Sequence, residues 1–147
     1  LAGVLAAGSR LLLGFDRAAH AGKPAAVIRA AYDDEAGVTA QFNLNVLAHL
    51  NRALGSDFQR SAWRHVARYD EGLDRIEMHL ESAVDQVVTF PDGPRFAYRA
   101  GQRILTEISR KFDPDGLAAW FEPRGFRAVE HWADEREYFG LMLLERL

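Results

Sequence analysis

The sequence predicts an α/β fold in which a unit of different character interrupts a sheet. Three observations predict it: an apolar run ends at a carboxylate over residues 11–16, a helical repeat occupies residues 38–54, and a two-residue alternation follows between 76 and 112. Helices repeat their apolar positions about every 3.6 residues and half-buried strands about every two, so the change of period marks a change of element. A helix and a hairpin then close the chain.

The first predicted strand is the apolar run of residues 11–15, which ends at Asp16. A run without polar residues is typical of a parallel strand buried on both faces, and a carboxylate at its C-terminal end would face a site. Residues 1–5 are predicted to be the tail of a preceding helix. After a loop of small residues, Pro24 suits the first turn of a helix over residues 25–31.

A long amphipathic helix is predicted over residues 38–54. Apolar side chains recur there at steps of three and four residues, as one buried stripe of a helix requires. Gly55 follows the last of them and is a natural helix stop. The stripe consists of Val38, Phe42, Val46, Leu47, Leu50 and Leu54. We therefore expect these side chains to pack against a core.

Beyond Trp63, alternating apolar and polar residues predict antiparallel strands. Residues 76–80 alternate strictly, and the apolar run at 87–90 ends in a Pro-Asp-Gly-Pro turn. Residues 96–98 and 104–112 read as two further strands. Together these segments predict a meander.

The C-terminal segment predicts a helix followed by a hairpin. Asp113 is a suitable N-cap for a helix over residues 116–124, and Gly125 is a suitable stop. Residues 128–132 and 138–144 are apolar enough to form the two strands of the hairpin, and the turn between them is charged.

This order of elements divides the chain into three parts. Residues 1–37 and 113–147 are predicted to belong to one sheet core, and residues 38–112 to a helix-plus-strand unit placed inside it. The chain begins at Leu1 rather than with methionine and enters its first strand after a few residues. We therefore expect it to be the later part of a longer protein.

Composition and charge exclude several classes of protein. The formal net charge is −3 and the 18 lysine and arginine residues are scattered, so no nucleic-acid partner is expected. The chain lacks cysteine and its five histidines show no H-x-x-x-H spacing, so no metal site is expected. No apolar run approaches the ~20 residues that span a bilayer. We expect a cytoplasmic protein without a membrane partner.

Five blocks in register carry a resemblance to a known family. They are A-A-Y-D-D at 30–34, G-V-T-A-Q-F-N-L-N-V-L at 37–47, R-I-E-M-H-L at 75–80, T-E-I-S at 106–109 and K-F at 111–112. Over nearly its whole length the chain resembles the histidine N-alpha-methyltransferases of ergothioneine biosynthesis. The resemblance implies the C-terminal part of a Rossmann-like methyltransferase sheet with an inserted α+β substrate-binding domain. It also implies S-adenosylmethionine (SAM) as methyl donor, bound mainly outside this chain, and a monomer at full length.

The resemblance implies that Glu107 and Ser109 select the imidazole of histidine. Residues two apart in a strand share a face and lie about 7 Å apart, a span that suits the two imidazole nitrogens. A substrate side chain without an N–H donor would leave the carboxylate unpaired and would bind more weakly. The residues alone equally fit a solvated strand face on which Glu107 pairs with Lys111 or Arg110.

Tyr32 and Met78 are the other two substrate-binding residues that the resemblance implies. The Tyr32 hydroxyl would bind the substrate carboxylate at the C-terminal edge of the strand at 11–15, and the flexible Met78 thioether would pack on the imidazole. From the residues alone, Tyr32 equally fits the edge of a core and Met78 its interior. Asn43 and Asn51 are predicted to anchor loops to the long helix.

The chemistry of the implied reaction favours positioning groups over proton-transfer groups. Direct displacement at the methyl donor requires a neutral α-amine held in line with the sulfonium methyl. The sequence therefore predicts the substrate-recognition part of an enzyme that N-alpha-methylates L-histidine, with no catalytic residue of its own and no activity as an isolated chain. Two alternatives stay open: an N-methyltransferase for another amino acid, such as a tryptophan derivative, and a non-catalytic amino-acid-binding module.

Overall fold

The computed structural model describes residues 3–147, which cluster into two compact units. The first unit comprises the residues up to Ala25 together with Glu71–Arg75 and Arg110–Leu147, and the second comprises Ala26–Asp70 and Ile76–Ser109. The chain therefore leaves the first unit twice, at Ala26 and at Ile76, and returns to it at Glu71 and at Arg110.

The described residues contain both helices and strands. The helices are α1 (Ala25–Ala30), α2 (Val38–Leu54) and α3 (Pro114–Phe121). The strands are β1 (Arg10–Asp16), β2 (Trp63–Asp70), β3 (Arg75–Ser82), β4 (Gln86–Thr89), β5 (Arg95–Tyr98), β6 (Arg103–Arg110), β7 (Phe126–Ala133) and β8 (Phe139–Arg146). This mixture confirms the predicted α/β class.

The sheet of the first unit has the strand order β1-β8-β7, and β8 is antiparallel to both neighbours. The prediction that residues 11–15 form a parallel strand buried on both faces is wrong for the described chain. β1 pairs antiparallel with β8, with Leu13 opposite Met142, and Leu12 is 59% exposed. An apolar run indicates burial, but it carries no signal for the direction of the partner strand.

The ends of the predicted helices differ in detail from the observed ones. Residues 3–5 form a turn and a bend instead of the predicted helix tail, whereas Leu1 and Ala2 lie outside the described residues. Glycines at positions 3 and 8 disfavour a helix there. The predicted helix at 116–124 begins earlier, at Pro114, and passes after Phe121 into a 3-10 turn that ends before Gly125.

The core of the first unit packs α3 against its sheet. It consists of Phe15, Leu117, Phe121, Phe126, Met142 and Leu144. The Asp113 carboxylate caps α3 by accepting the Gly116 N–H at 2.8 Å. Gly140 is required on β8, because a Cβ there would approach the Phe15 ring to 2.4 Å.

A buried ionic cluster lies at the C-terminal end of β1. The Asp16 carboxylate accepts hydrogen bonds from Lys23 and, at 2.7 Å, from Lys111. Both lysines are only 3% exposed. Lys23 also donates to the carbonyls of Arg17 at 3.0 Å and Tyr138 at 2.8 Å. Burial raises the pKa of the Asp16 carboxyl, but the hydrogen bonds and charges of the two lysines outweigh it and hold the pKa below its usual value.

The second unit contains a sheet of order β2-β3-β6 and a separate two-stranded sheet, β4-β5. The predicted single meander is thus divided, because β4 and β5 pair antiparallel with each other. β2 is absent from the predicted elements. Trp63 and Ala67 are its only buried hydrophobic residues, so the period-two pattern is too weak to detect.

α2 has the predicted bounds, but it buries a different face. Leu47 lies in the core with Phe58, Trp63, Leu80 and Val88, and Leu44 and Leu50 pack against them. The prediction of one buried stripe is wrong for four of its members, which are each more than a third exposed: Val38, Phe42, Val46 and Leu54. The most buried residues of α2 are Leu47 and the polar Asn43, so the helix is rotated toward hydrogen-bonding partners of Asn43.

Candidate functional site

Two of the predicted site residues meet in the second unit. Tyr32 follows α1 in the turn that leads to α2, and its hydroxyl donates a hydrogen bond to the Ser109 hydroxyl at 2.9 Å. Ser109 lies next to the last residue of β6. The fold thus brings a phenol and an aliphatic hydroxyl together from positions far apart in the sequence.

The backbone of Tyr32 is held by a second set of contacts. His65 Nε2, on β2, lies 2.8 Å from the Tyr32 carbonyl oxygen. Asn43 Nδ2, on α2, lies 3.0 Å from His65 Nδ1 and 3.1 Å from the His79 carbonyl oxygen. Asn43 is only 1% exposed. A buried amide and an imidazole therefore support the residue whose hydroxyl contacts Ser109.

Asp34 fixes the far end of the turn that carries Tyr32. Its two carboxylate oxygens accept the backbone N–H groups of Val38 and Thr39, each at 2.9 Å. The hydrogen bonds from Thr39 and Val38 lower the pKa of Asp34 to about 2. Asp34 thereby satisfies two N–H groups at the start of α2 that have no partner within the helix. The turn is therefore held at three points: the Tyr32 carbonyl, the Tyr32 hydroxyl and the Asp34 carboxylate.

Met78 and Glu107 occupy neighbouring strands in different environments. Met78 is 3% exposed, and its carbonyl oxygen accepts the Thr106 hydroxyl at 2.9 Å. Glu107, the next residue on β6, is exposed and makes no hydrogen bond or ion pair within residues 3–147. The alternative in which Glu107 pairs with Lys111 is wrong, because Lys111 binds Asp16.

Met78 is flanked on β3 by a carboxylate and an imidazole that face the other side of the strand. Glu77 Oε2 lies 3.1 Å from His79 Nε2, and both side chains are largely buried. His79 Nδ1 is buried without a hydrogen-bond partner among the described residues. This pair was not predicted, since residues that alternate along a strand are usually solvated on their polar face.

Asn51 anchors a loop to α2 as predicted, whereas Asn43 contacts His65 and His79, which lie on strands. Asn51 exchanges hydrogen bonds of 2.8 and 2.9 Å with the backbone of Phe58 and so anchors that loop. His65 escaped prediction because its strand was not recognised. Asp34 carried a detectable signal, since an aspartate close before a helix is a frequent capping residue.

The described contacts of Tyr32 with Ser109 and His65 are hydrogen bonds. Within residues 3–147, no three His, Cys, Asp or Glu side chains are placed to hold a metal ion. Hydroxyl, imidazole and amide groups of this kind can orient a small polar molecule through hydrogen bonds.

The sequence comparisons identify the protein family to which the chain belongs. Residues 1–146 match the family described as histidine-specific, SAM-dependent methyltransferases, and the chain belongs to that family. The resemblance inferred from the five sequence blocks is thereby confirmed.

Several curated relatives match nearly the whole chain. The chain is 43% identical to the histidine N-alpha-methyltransferase of Mycobacterium tuberculosis and 42% identical to that of Mycolicibacterium smegmatis, over 97% and 99% of its length. It is 31% identical, over 83% of its length, to ergothioneine biosynthesis protein 1 of Schizosaccharomyces pombe. The chain spans 44% of each mycobacterial relative and 15% of the yeast protein.

None of the helices within residues 3–147 combines the length and the apolar character that a membrane crossing requires.

Proposed function

We propose that this chain is the substrate-recognition part of a SAM-dependent enzyme that methylates the α-amine of L-histidine. The observation that carries the proposal is the Tyr32–Ser109 hydrogen bond of 2.9 Å, with the exposed Glu107 two residues before Ser109 on β6, in a chain of the histidine-specific methyltransferase family. The names of the mycobacterial relatives support the same substrate.

Each of the four residues has a distinct part in the proposal. Glu107 accepts an N–H of the substrate imidazole, and Ser109 hydrogen bonds the other ring nitrogen. When substrate binds, the Tyr32 hydroxyl turns its proton from Ser109 to the substrate carboxylate, and Met78 provides an apolar surface near the ring. The Glu107 carboxylate has no partner among the described residues and is available to such a ligand. Binding removes water from this carboxylate, and only a substrate with a ring N–H replaces the lost hydrogen bond.

Methyl transfer then depends on alignment. SAM supplies an electrophilic methyl group, and the chain's residues hold the α-amine so that its lone pair points along the line of displacement. A neutral amine is required, because a protonated amine has no lone pair. None of the four residues needs to form a bond with the reacting atoms, so their contribution is one of binding and orientation.

The described residues do not themselves fit an adenosyl site. Asp16, the carboxylate at the end of β1, is bound by two buried lysines and so is not available to accept from a ribose hydroxyl. We propose that SAM is held mainly by residues outside this chain.

In this proposal, two parts of the chain have different roles. Residues 1–37 and 113–147 form part of a Rossmann-like sheet, and residues 38–112 form an inserted substrate-binding domain. One feature supports the division: most of residues 38–112 lie in the second compact unit, whereas the segments before Ala26 and after Ser109 lie in the first.

Calorimetry on the full-length protein that contains this chain tests the proposal. Histidine should bind, and Glu107→Ala should weaken binding roughly 10- to 100-fold, as expected for loss of a charged hydrogen bond. Turnover at saturating histidine should change far less. Glu130→Ala, an exposed carboxylate on β7, is the matched control and should have no effect.

Other outcomes would replace the proposal with a different function. Tighter binding of tryptophan than of histidine would favour a methyltransferase for another amino acid. Histidine binding without methyl transfer from SAM would favour a non-catalytic binding module. Unchanged histidine affinity in Glu107→Ala would remove Glu107 from the site.

A further inference from the structure

We propose that His65 and Asn43 are positioning residues that fix Tyr32 for substrate binding, and that they do so only while His65 is neutral. The inference rests on the proposed substrate-binding role of Tyr32. It assigns a function to two residues that contact no substrate in the proposed site.

The three residues form a continuous chain of hydrogen bonds within the second unit. Asn43 Nδ2 contacts His65 Nδ1 at 3.0 Å, and His65 Nε2 contacts the Tyr32 carbonyl oxygen at 2.8 Å. The Tyr32 hydroxyl then contacts Ser109 at 2.9 Å. Tyr32 stands in a turn, where a backbone is less constrained than in a helix or strand. The bond from His65 supplies the missing constraint.

The His79 carbonyl determines which atom of the Asn43 amide faces His65. Asn43 Nδ2 lies 3.1 Å from that carbonyl oxygen, which can only accept a hydrogen bond. If the amide were reversed, its oxygen would face another oxygen. Nδ2 therefore uses one hydrogen for His79 and the other for His65.

This orientation determines the protonation state of His65. Because Asn43 donates to Nδ1, that nitrogen must act as an acceptor and carry no proton. Nε2 then carries the proton and donates it to the Tyr32 carbonyl. The geometry thus defines a neutral imidazole with its proton on Nε2.

A second proton on His65 would break this arrangement. The new N–H at Nδ1 would point at an N–H of Asn43, and two donors repel. If the Asn43 amide rotated to avoid this, the His79 carbonyl would lose its hydrogen-bond donor. If the His65 imidazole turned instead, the Tyr32 carbonyl would lose its hydrogen-bond donor. We therefore expect the position of Tyr32, and with it histidine affinity, to depend on His65 remaining neutral.

Other titratable groups lie on the elements packed against His65. Asp34, in the turn beyond Tyr32, is bound to the start of α2, and Glu77 and His79 on β3 pair with each other at 3.1 Å. None of these three side chains hydrogen bonds His65 within residues 3–147. His79 is the other imidazole near the site, so it requires its own control.

The test compares two substitutions of His65 in the full-length protein. His65→Ala removes the donor to Tyr32 and should raise the KM for histidine roughly five- to tenfold, the value of one hydrogen bond, with little change in kcat. In His65→Gln, the side-chain amide can reach the Tyr32 carbonyl and does not titrate. This variant should retain most of the affinity and lose the weakening of affinity that acidification causes in the unmodified protein.

Coupling to Tyr32 separates positioning from a general structural effect. In His65→Ala/Tyr32→Phe, the two effects on KM should not add, because both changes act through one contact with substrate. His79→Gln should leave the acid dependence in place, and His49→Ala on the exposed side of α2 should change nothing. Additive effects, or an acid dependence that persists in His65→Gln, would overturn the proposal.

One measurement needs no substrate and so remains decisive if histidine is not the ligand. The imidazole nitrogen shifts of His65, assigned by their loss in His65→Gln, should show a neutral ring protonated on Nε2 at neutral pH in the ligand-free protein. A charged ring or a proton on Nδ1 would disprove the arrangement. If the shifts are as expected but histidine does not bind, the proposed substrate fails while the hydrogen-bonded chain stands.

Discussion

Tyr32 shows how a turn residue can be held as firmly as a residue in a strand. Its hydroxyl bonds Ser109, its carbonyl bonds His65, and Asp34 ties the following residues to α2. Each bond alone adds only about 0.5–1.5 kcal/mol, but together they restrict the same few torsions. A site assembled this way needs little reorganisation when a ligand arrives, which favours affinity.

Removal of the Tyr32 hydroxyl tests this description directly. Tyr32→Phe keeps the ring and the carbonyl but loses the bond to Ser109 and the proposed bond to the substrate carboxylate. Histidine affinity should fall roughly tenfold or more in titration calorimetry, since the lost acceptor on the substrate is charged.

The thermal unfolding of Tyr32→Phe should stay close to that of the unmodified protein. Tyr138→Phe is the control, because the known contacts of Tyr138 involve its ring and its carbonyl. Equal affinity in Tyr32→Phe and the control would exclude the hydroxyl from the site.

The charge of Asp16 stabilises the fold through its two lysine partners. Its pKa is lowered in the folded state, so it stabilises the fold above the ordinary aspartate pKa of about 3.9, and this stabilisation is lost as pH falls through the lower folded value. Asp16→Asn also leaves two buried lysines without their anion. We expect it to reduce the free energy of unfolding at pH 7 by about 1–3 kcal/mol, less than for a fully buried pair because the carboxylate is partly exposed.

Urea unfolding of the full-length protein at pH 7 and near pH 3 measures this effect. The difference between Asp16→Asn and the unmodified protein should shrink at the lower pH. Asp92→Asn, in an exposed turn, should be neutral at both values. A difference that grows on acidification would contradict the assigned sign.

At the scale of elements, the start of α2 depends on a side chain outside the helix. Asp34→Ala removes the acceptor for the Val38 and Thr39 N–H groups, and hydrogen exchange of these two amides should become faster. Because the pKa of Asp34 is about 2, its contribution should persist down to about pH 4 and be lost only as pH approaches 2.

Asp34→Asn is the variant to compare with Asp34→Ala, since an asparagine oxygen still accepts one N–H. It should slow exchange at one of the two amides relative to Asp34→Ala. If neither substitution alters exchange at Val38 or Thr39, the first turn of α2 is held by the helix itself.

The sequence predicted α2 and α3 better than it predicted the strands. The bounds of α2 follow from a repeated apolar pattern between Gly37 and Gly55, both of which adopt positive φ. Its orientation could not be predicted, because the buried Asn43 counts as polar in any apolar pattern. β2 was missed for a related reason: its inward side chains include His65, which a periodicity argument places on the solvent face.

The site was predictable where chemistry follows a short motif and unpredictable where it depends on tertiary contact. Ser109 and Tyr32 were paired by family resemblance, and the structure brings them together. The supporting chain through His65 joins residues from a helix, a strand and a turn, and no local pattern links them. Contacts that support a binding residue without touching the ligand can be found only from coordinates or from correlated substitutions among relatives.

At the scale of the whole molecule, Asp16 links two points of the chain that are far apart in sequence. Lys23 stands just before the chain leaves the first unit and Lys111 just after it returns, and both end on one carboxylate. The backbone of Phe112 also bonds Asp16 and Ala18, each at 3.0 Å. The segment between them, which returns to the first unit once more at Glu71–Arg75, therefore begins and ends at one carboxylate. A segment that begins and ends at one point could be exchanged between related enzymes. The ligand preference would then change while the first unit stayed the same.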